Sequence, residues 1–449
     1  MTWNKLFEHA GKRLGQSTSS TDNNRTDFQR DFDRIVFSPA FRRLQNKTQV
    51  LPLPKSDFVR NRLTHSLETA SVGRSLGIIV GKEIIEKHNL SITPADFGAI
   101  VSAACLTHDI GNPPFGHAGE EAISSYFKSS EAANFIADLT NKQQADLQNF
   151  EGNAAGFRII SNTLKGQSSF EGGLRLTYAT YGTFTKYPKE SLPNLRKKGG
   201  KASQKKYGFF QAEKETFQTI AQSLNVNNNS FDNHLVYDRF PLAFLVEAAD
   251  DICYSIIDYE DGYNIGYIPF KDLENNLKNL LSDVWSFHEE KYHNIIHESS
   301  KVAYLRSIAI NHLVNLSAKV FLKNEEAMLA GTFDTPLTNF IPEKEKEVLD
   351  TIISQSISKI YQSPTVLKLE VAGFKVLPNL LHHFTSAILN PKQYRYVYNL
   401  IPSEYLIDGK PLENTYENIL NMTMYVSSMT DRHAVELYKN LNGIELAGY

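Results

Sequence analysis

Cysteine is nearly absent: the 449 residues hold two, Cys105 and Cys253, which excludes a disulfide framework and a four-thiolate zinc centre. Each lies in an apolar run, so both read as small core residues of a protein from a reducing compartment. No run of ~18 or more apolar residues is available to span a bilayer, and the opening MTWNKLFEHAGKR has no apolar signal segment. Cytoplasmic residence without membrane attachment is the expectation. Charge of one sign is not in excess either: 47 Lys and Arg against 50 Asp and Glu give a net charge of −3, which argues against a chain that lives wholly on nucleic acid or anionic lipid. Sustained period-2 alternation, glycine-rich phosphate loops and internal repeats are all missing. Any phosphate chemistry must use something other than a P-loop.

What the sequence has in quantity is helical periodicity, and at 41% hydrophobic composition the chain can bury a large core. An amphipathic pattern starts near Thr26, with Phe28, Phe32, Ile35 and Val36 on one face. A long helix is predicted from Leu63 to His88 and stops at Asn89. A second is opened by Thr93-Pro94 and runs through ADFGAIVSAACLTHD until Gly111, Pro113 and Pro114 end it. Further helices are predicted from His117 to Phe127, from Glu151 to Leu164 and over PLAFLVEAADDICYSIIDYEDG, where Pro241 suits the first turn. Later patterns lie at about 270–296, 300–330, 343–361, 369–389 and 412–442. The fold class is mainly α. Residues 1–30 are polar and read as a flexible arm, and residues 185–206, rich in Lys and Arg with one acid, Glu190, read as a mobile basic loop or hairpin.

Several polar residues are out of place on such helices. His108 and Asp109 end an apolar helix, where the macrodipole disfavours a carboxylate. A solvated helix end is one explanation; a bound cation is the other. Asp250 and Asp251 lie among Leu245, Val246, Ala248, Ala249 and Ile252, where an unpaired carboxylate is costly. A site of His65, His108, Asp109 and one of those two Asp residues would supply two nitrogens and two oxygens from three helices, a set suited to a divalent ion such as Mn, Fe, Co, Ni or Zn. His117 and Glu120 share a face at the start of the next helix. They read either as an acid–base pair for an attacking water or as a helix end with Glu on the dipole. Asp250, Tyr254 and Asp258 share another face, and Tyr254 suits a sugar or base as well as it suits a core.

The order His65, His108-Asp109, Asp250 resembles the HD superfamily of metal-dependent phosphohydrolases. The segments RTDFQRDFDRIVFSPAFRRLQNKTQV (25–50), NRLTHSLE (61–68), LTHDIGNPPFGHAGEEA (106–122), EGNAAGFR (151–158), LRLTYATYGTFTKYP (174–188), EAADDICYSIIDYEDG (247–262) and SSMTDRHAVELYKNL (427–441) are similar to the deoxyguanosine triphosphate triphosphohydrolase family. The resemblance implies an HD-domain helical core over residues 31–265 and additional C-terminal helices over 266–449. It implies an enzyme that converts a dNTP into a deoxynucleoside and inorganic triphosphate, so controlling the dNTP pool. His65, His108, Asp109 and Asp250 would be the metal ligands, with Mn, Mg or Co favoured over Ni, Fe or Zn. His117 and Glu120 would be the catalytic pair. Gln49, Val50, Arg62, Asn153, Lys186, Tyr187, Tyr254 and Asp258 would bind substrate, although Asn153 could equally cap its own helix. Homo-oligomers such as hexamers, a nucleotide effector and single-stranded DNA are partners that the resemblance brings with it. The same metal residues would also serve an HD phosphodiesterase or a hydrolase of alarmones or nucleoside monophosphates, and the basic segment would suit a non-catalytic nucleotide sensor or nucleic-acid-binding protein.

Overall fold

The structure, a computed structural model, describes residues 1–15, 25–49, 59–162, 173–195 and 200–444. Among these residues the chain is helical, and its only β pairings are isolated bridges. Helix starts follow local chemistry. Helices α2 (Asp27–Val36), α3 (Arg62–His88) and α4 (Pro94–Thr107) each open with a capping box, from Thr26, Asn61 and Thr93 respectively, which satisfies backbone donors that have no partner inside the helix. Asn89 stops α3 in the left-handed region at φ 51°, a conformation Asn tolerates better than most residues.

Helices α3 and α4 form an antiparallel hairpin at very short range. A Cβ added at Gly77 would lie 2.7 Å from the Phe97 carbonyl oxygen, so only glycine permits that approach. Because the two helices run in opposite directions, the first turn of α3 and the last turn of α4 meet at one end. Helix α5 (Gly116–Lys128) follows the Pro-Pro break, and α6 (Gly152–Ser161) lies further on. Helix α7 (Ala243–Asn264) packs against both members of the hairpin. Helix α8 (Glu298–Lys323) covers α3 and α7, while α9 (Glu343–Ser356) packs on α7 and continues as a π-helical turn, Ile357–Tyr361. Helix α10 (Pro364–Leu389) packs on α5 and also on α11 (Thr415–Ser427) and α12 (Asp431–Leu441). The predicted pattern at 412–442 is thus two helices, divided where Thr430 caps α12.

Two large apolar clusters result. One joins the N-terminal residues to the α3–α4 hairpin, α7 and α8. The other joins α5 and residues 132–155 to residues 376–434, so the C-terminal helices complete a core begun by α5.

Described residues of two segments expected to be loose are held by contacts with the rest of the chain. In the N-terminal arm, Trp3 and Leu6 of α1 (Trp3–Glu8) are buried, the indole N–H donates to Glu325 Oε1 at 2.9 Å, and the Met1 ammonium donates to the Leu329 carbonyl at 2.7 Å. The polar composition of the first 30 residues masks two anchors that are enough to seat one turn and a half. In the basic segment, Lys186 pairs with Glu247, Lys201 with Asp238 and Lys206 with Glu151. Their acids come from distant parts of the sequence, which a local charge reading does not see. Residues 196–199 lie outside the described set.

Replacing Trp3 with Ala is expected to cost about 3–5 kcal/mol, read as a lower urea midpoint of the intact protein; an arm held only loosely would give no shift.

Candidate metal and hydrolytic site

The meeting of α3 and α4 brings together His65, 1% exposed, and His108, while α7 inserts Asp250 between them. Asp250 Oδ1 lies 3.3 Å from His65 Nε2 and 3.5 Å from His108 Nε2, and one donor atom from each of the three residues falls within 4.8 Å of the others. His108 Nδ1 is 2.6 Å from the Cys105 carbonyl. Donating its proton there leaves Nε2 facing the cluster, the arrangement that a metal-binding imidazole adopts. His108 Nε2 is buried and makes no hydrogen bond. Asp109 stands beside the trio, with Oδ2 3.7 Å from His108 Nε2, but its carboxylate is engaged by the Arg62 guanidinium and, at 2.5 Å, by the Asn112 amide. Its neighbour-in-kind Asp251 faces away and accepts a hydrogen bond from Thr338 at 2.9 Å.

The electrostatics ask for a cation. Burial alone would raise both acids, yet the imidazole of His108 holds Asp250 well below the usual carboxylate range, and Arg62 with His108 holds Asp109 down at about 2. Burial would lower His108, but Asp109 and Asp250 outweigh it and push the imidazole up to about 9. That proton neutralises part of the cluster's negative charge. A divalent ion would do the same more fully and displace it.

The cluster opens on a cavity of about 620 Å³. On one wall His117, its side chain 85% exposed, has Nδ1 2.9 Å from Glu120 Oε2. Glu120 also accepts the Gly152 amide at 2.7 Å. Hydrogen bonding to Glu120 raises the His117 pKa, and Glu120 is lowered in turn, its burial outweighed by His117 and by Lys206. Lys206 lies 3.6 Å from Glu120 Oε2 and 2.9 Å from Glu151 Oε1. Also in the cavity lining, Tyr254 stacks on Tyr361, ring centres 5.5 Å apart and 8° from parallel, and the Tyr361 hydroxyl donates to Asp258 Oδ2 at 2.7 Å. Burial pushes Asp258 up to about 7.

Gln49, Arg62, Asn153, Lys186 and Tyr187 line the same cavity. Gln49 Oε1 is buried without a partner, and Lys186 Nζ is 3.2 Å from Glu247. Asn153 does not cap α6: the N-cap position is Glu151, and the Asn153 amide donates to that carboxylate at 2.8 Å. Val50 lies outside the described residues. The sequence reading places Lys206 only among loop charges and misses Glu151, Tyr361 and Glu247. Their one common signal, a polar residue beside an apolar helix or turn, is too frequent to single them out.

An HD domain is matched over residues 62–159, which takes in His65, His108, Asp109, His117 and Glu120. Over 99% of its length the chain is 44% identical to a deoxyguanosinetriphosphate triphosphohydrolase-like protein of Synechocystis sp., covering all of that protein. The chain belongs to the deoxyguanosinetriphosphate triphosphohydrolase family. A family member from Pseudomonas aeruginosa, also named as triphosphohydrolase-like, is 36% identical with 99% of each chain covered. A deoxyguanosinetriphosphate triphosphohydrolase of Enterobacter sp. is 29% identical, with 98% of this chain and 99% of that one aligned. The family resemblance therefore extends through the C-terminal helices, well beyond the HD segment. No helix among the described residues is long and apolar enough to cross a membrane.

Because Glu120 raises the pKa of His117, Glu120→Gln should move that imidazole back down. The stability that this pair contributes is fully present between the unfolded pKa values of Glu120 and His117; it is lost as pH rises through the raised folded value of His117 and as pH falls through the lowered folded value of Glu120. A His117 titration followed by NMR in both proteins checks the direction, and an unchanged titration would separate the two residues.

Proposed function

We propose that the chain is a metal-dependent dNTP triphosphohydrolase that adds water across the bond between the α-phosphorus and O5′, releasing deoxynucleoside and intact triphosphate. One observation carries the reading: the His65, His108 and Asp250 cluster opens on the same cavity as the His117–Glu120 pair. A bare HD metal site would not require that second pair. The full-length similarity to proteins named for this activity supports the choice of substrate class.

His65, His108 and Asp250 would hold the ion, with Asp109 the fourth candidate. A mixed nitrogen and oxygen set with open positions fits several divalent ions, and availability, which decides among them, favours Mn, Mg or Co over Ni, Fe or Zn. When bound, the ion supplies Lewis-acid polarisation and charge neutralisation. Arg62, Lys186 and Lys206 offer further positive charge to a triphosphate of roughly four negative charges, which is the positioning that phosphoryl chemistry demands. Tyr187 and Asn153, which line the same cavity as Lys186, would contact phosphate. His117 keeps Nδ1 on Glu120, so its Nε2 is the atom free to move a proton. The raised pKa favours the proton-bearing form, which suits delivery of a proton to the departing O5′. Gln49 and Asp258 are the sugar contacts of this reading, Tyr254 the face against which the sugar packs, and Val50 the side chain that would crowd a ribose 2′-hydroxyl. Assembly into homo-oligomers such as hexamers and control by a nucleotide or single-stranded DNA accompany the proposal as family traits, and cytoplasmic residence accompanies it on the sequence reading.

The deciding measurement is product analysis with each dNTP and with GTP, in Mn and in EDTA. Metal-dependent release of triphosphate from dNTPs but not from GTP is expected; monophosphate products, or no turnover even with mixed dNTPs, would overturn the assignment. Asp250→Ala and His108→Ala should each lower activity by more than the ~10–100-fold typical of losing an outer partner of a metal ligand, with Mn binding lost in parallel.

A further inference from the structure

The segment SSMTDRHAVELYKNL at 427–441 has no part in the site as described, yet Asp431 in its middle touches two loops that line the cavity. Asp431 is 4% exposed in the first turn of α12. One carboxylate oxygen accepts the Thr48 amide at 2.8 Å and the other accepts the Phe115 amide at 3.1 Å. Thr48 precedes Gln49. Phe115 precedes Gly116 and His117. Alongside, the buried Lys47 donates to the Asn112 carbonyl at 2.5 Å and to the Ser427 carbonyl at 3.0 Å, and Asn112 is the residue whose amide holds Asp109.

The Phe115 turn needs such an anchor. Its φ of +66° is a left-handed conformation disfavoured for an aromatic residue, Gly116 follows at +60°, and α5 begins there without any side-chain cap. A carboxylate that accepts one amide from each loop supplies two charge-assisted hydrogen bonds in a buried setting, where each is stronger than in water. We propose that Asp431 is a positioning residue of the hydrolytic site, joining the Thr48 and Phe115 loops so that Gln49 and His117 face one substrate across the cavity. The proposal rests on the triphosphohydrolase reading for its effect on turnover, but the clamp itself is independent of that reading. It also gives the C-terminal helices a direct role in the site.

The test uses the full chain with Asp431→Asn, which keeps a single acceptor oxygen, and Asp431→Glu, which keeps both oxygens and the charge on a longer stem. Backbone hydrogen exchange is followed in peptides covering 44–49 and 112–120, with 97–106 as an internal reference, together with kcat, KM and Mn affinity. In Asp431→Asn protection should fall in both loop peptides and stay unchanged in the reference. Turnover should fall about 100-fold, the scale of an ~1 Å misplacement of reacting groups, with Mn affinity preserved and part of kcat recovered in Asp431→Glu. Unchanged protection in either loop peptide, a parental kcat, or loss of protection spread evenly over the chain would overturn the proposal, the last by reducing Asp431 to a general fold anchor. If the parent turns over no dNTP, the activity assignment falls separately, and the exchange data still decide whether Asp431 clamps the two loops.

Discussion

Negative charge enclosed where α3, α4 and α7 meet governs this molecule. Asp250 lies between two imidazoles, and Asp109 is held by Arg62 a few ångströms away. Neither carboxylate is neutralised by protonation, because the surrounding cations keep both ionised. A folded protein tolerates such a centre only when the charges are matched in number and direction. Much of the architecture follows from that need: the hairpin that brings two histidines to one end, the carbonyl of Cys105 that orients one of them, and the cavity that gives an anionic ligand access to the cations around it.

The sequence exposed the parts of this arrangement that are local. Capping residues Thr26, Asn61 and Thr93 stand next to the apolar periodicity they start, so helix origins could be placed from neighbours alone. The out-of-place polar residues His108, Asp109 and Asp250 could be singled out because their surroundings in sequence are apolar. Gathering them into one cluster required three-dimensional contacts or the family resemblance. Periodicity could not reveal that Tyr361 covers Tyr254, that Lys206 faces Glu120, or that Asp431 reaches Thr48, since each pair is separated by more than 80 residues and no pattern links them.

The same distinction explains the segments that looked loose. Composition measures how much apolar surface a stretch offers on average, whereas docking depends on whether a few side chains find partners. Trp3 finds Phe97 and Glu325, and the lysines of the basic segment find acids brought in from α5, α7 and residue 238. Charge that looks free in the sequence is thereby partnered at Lys186, Lys201 and Lys206.

The glycine contact between α3 and α4 has a thermodynamic consequence. The helices are locked at that distance and His108 is oriented by a backbone carbonyl, so contacts within the chain hold the candidate ligand atoms together. Ion capture then freezes few torsions and has little chain ordering to drive, in contrast to small zinc modules that are unfolded without their metal. The free energy of coordination is accordingly left to show as affinity, and loading and unloading the ion become events of the site, separable from the folding of the chain.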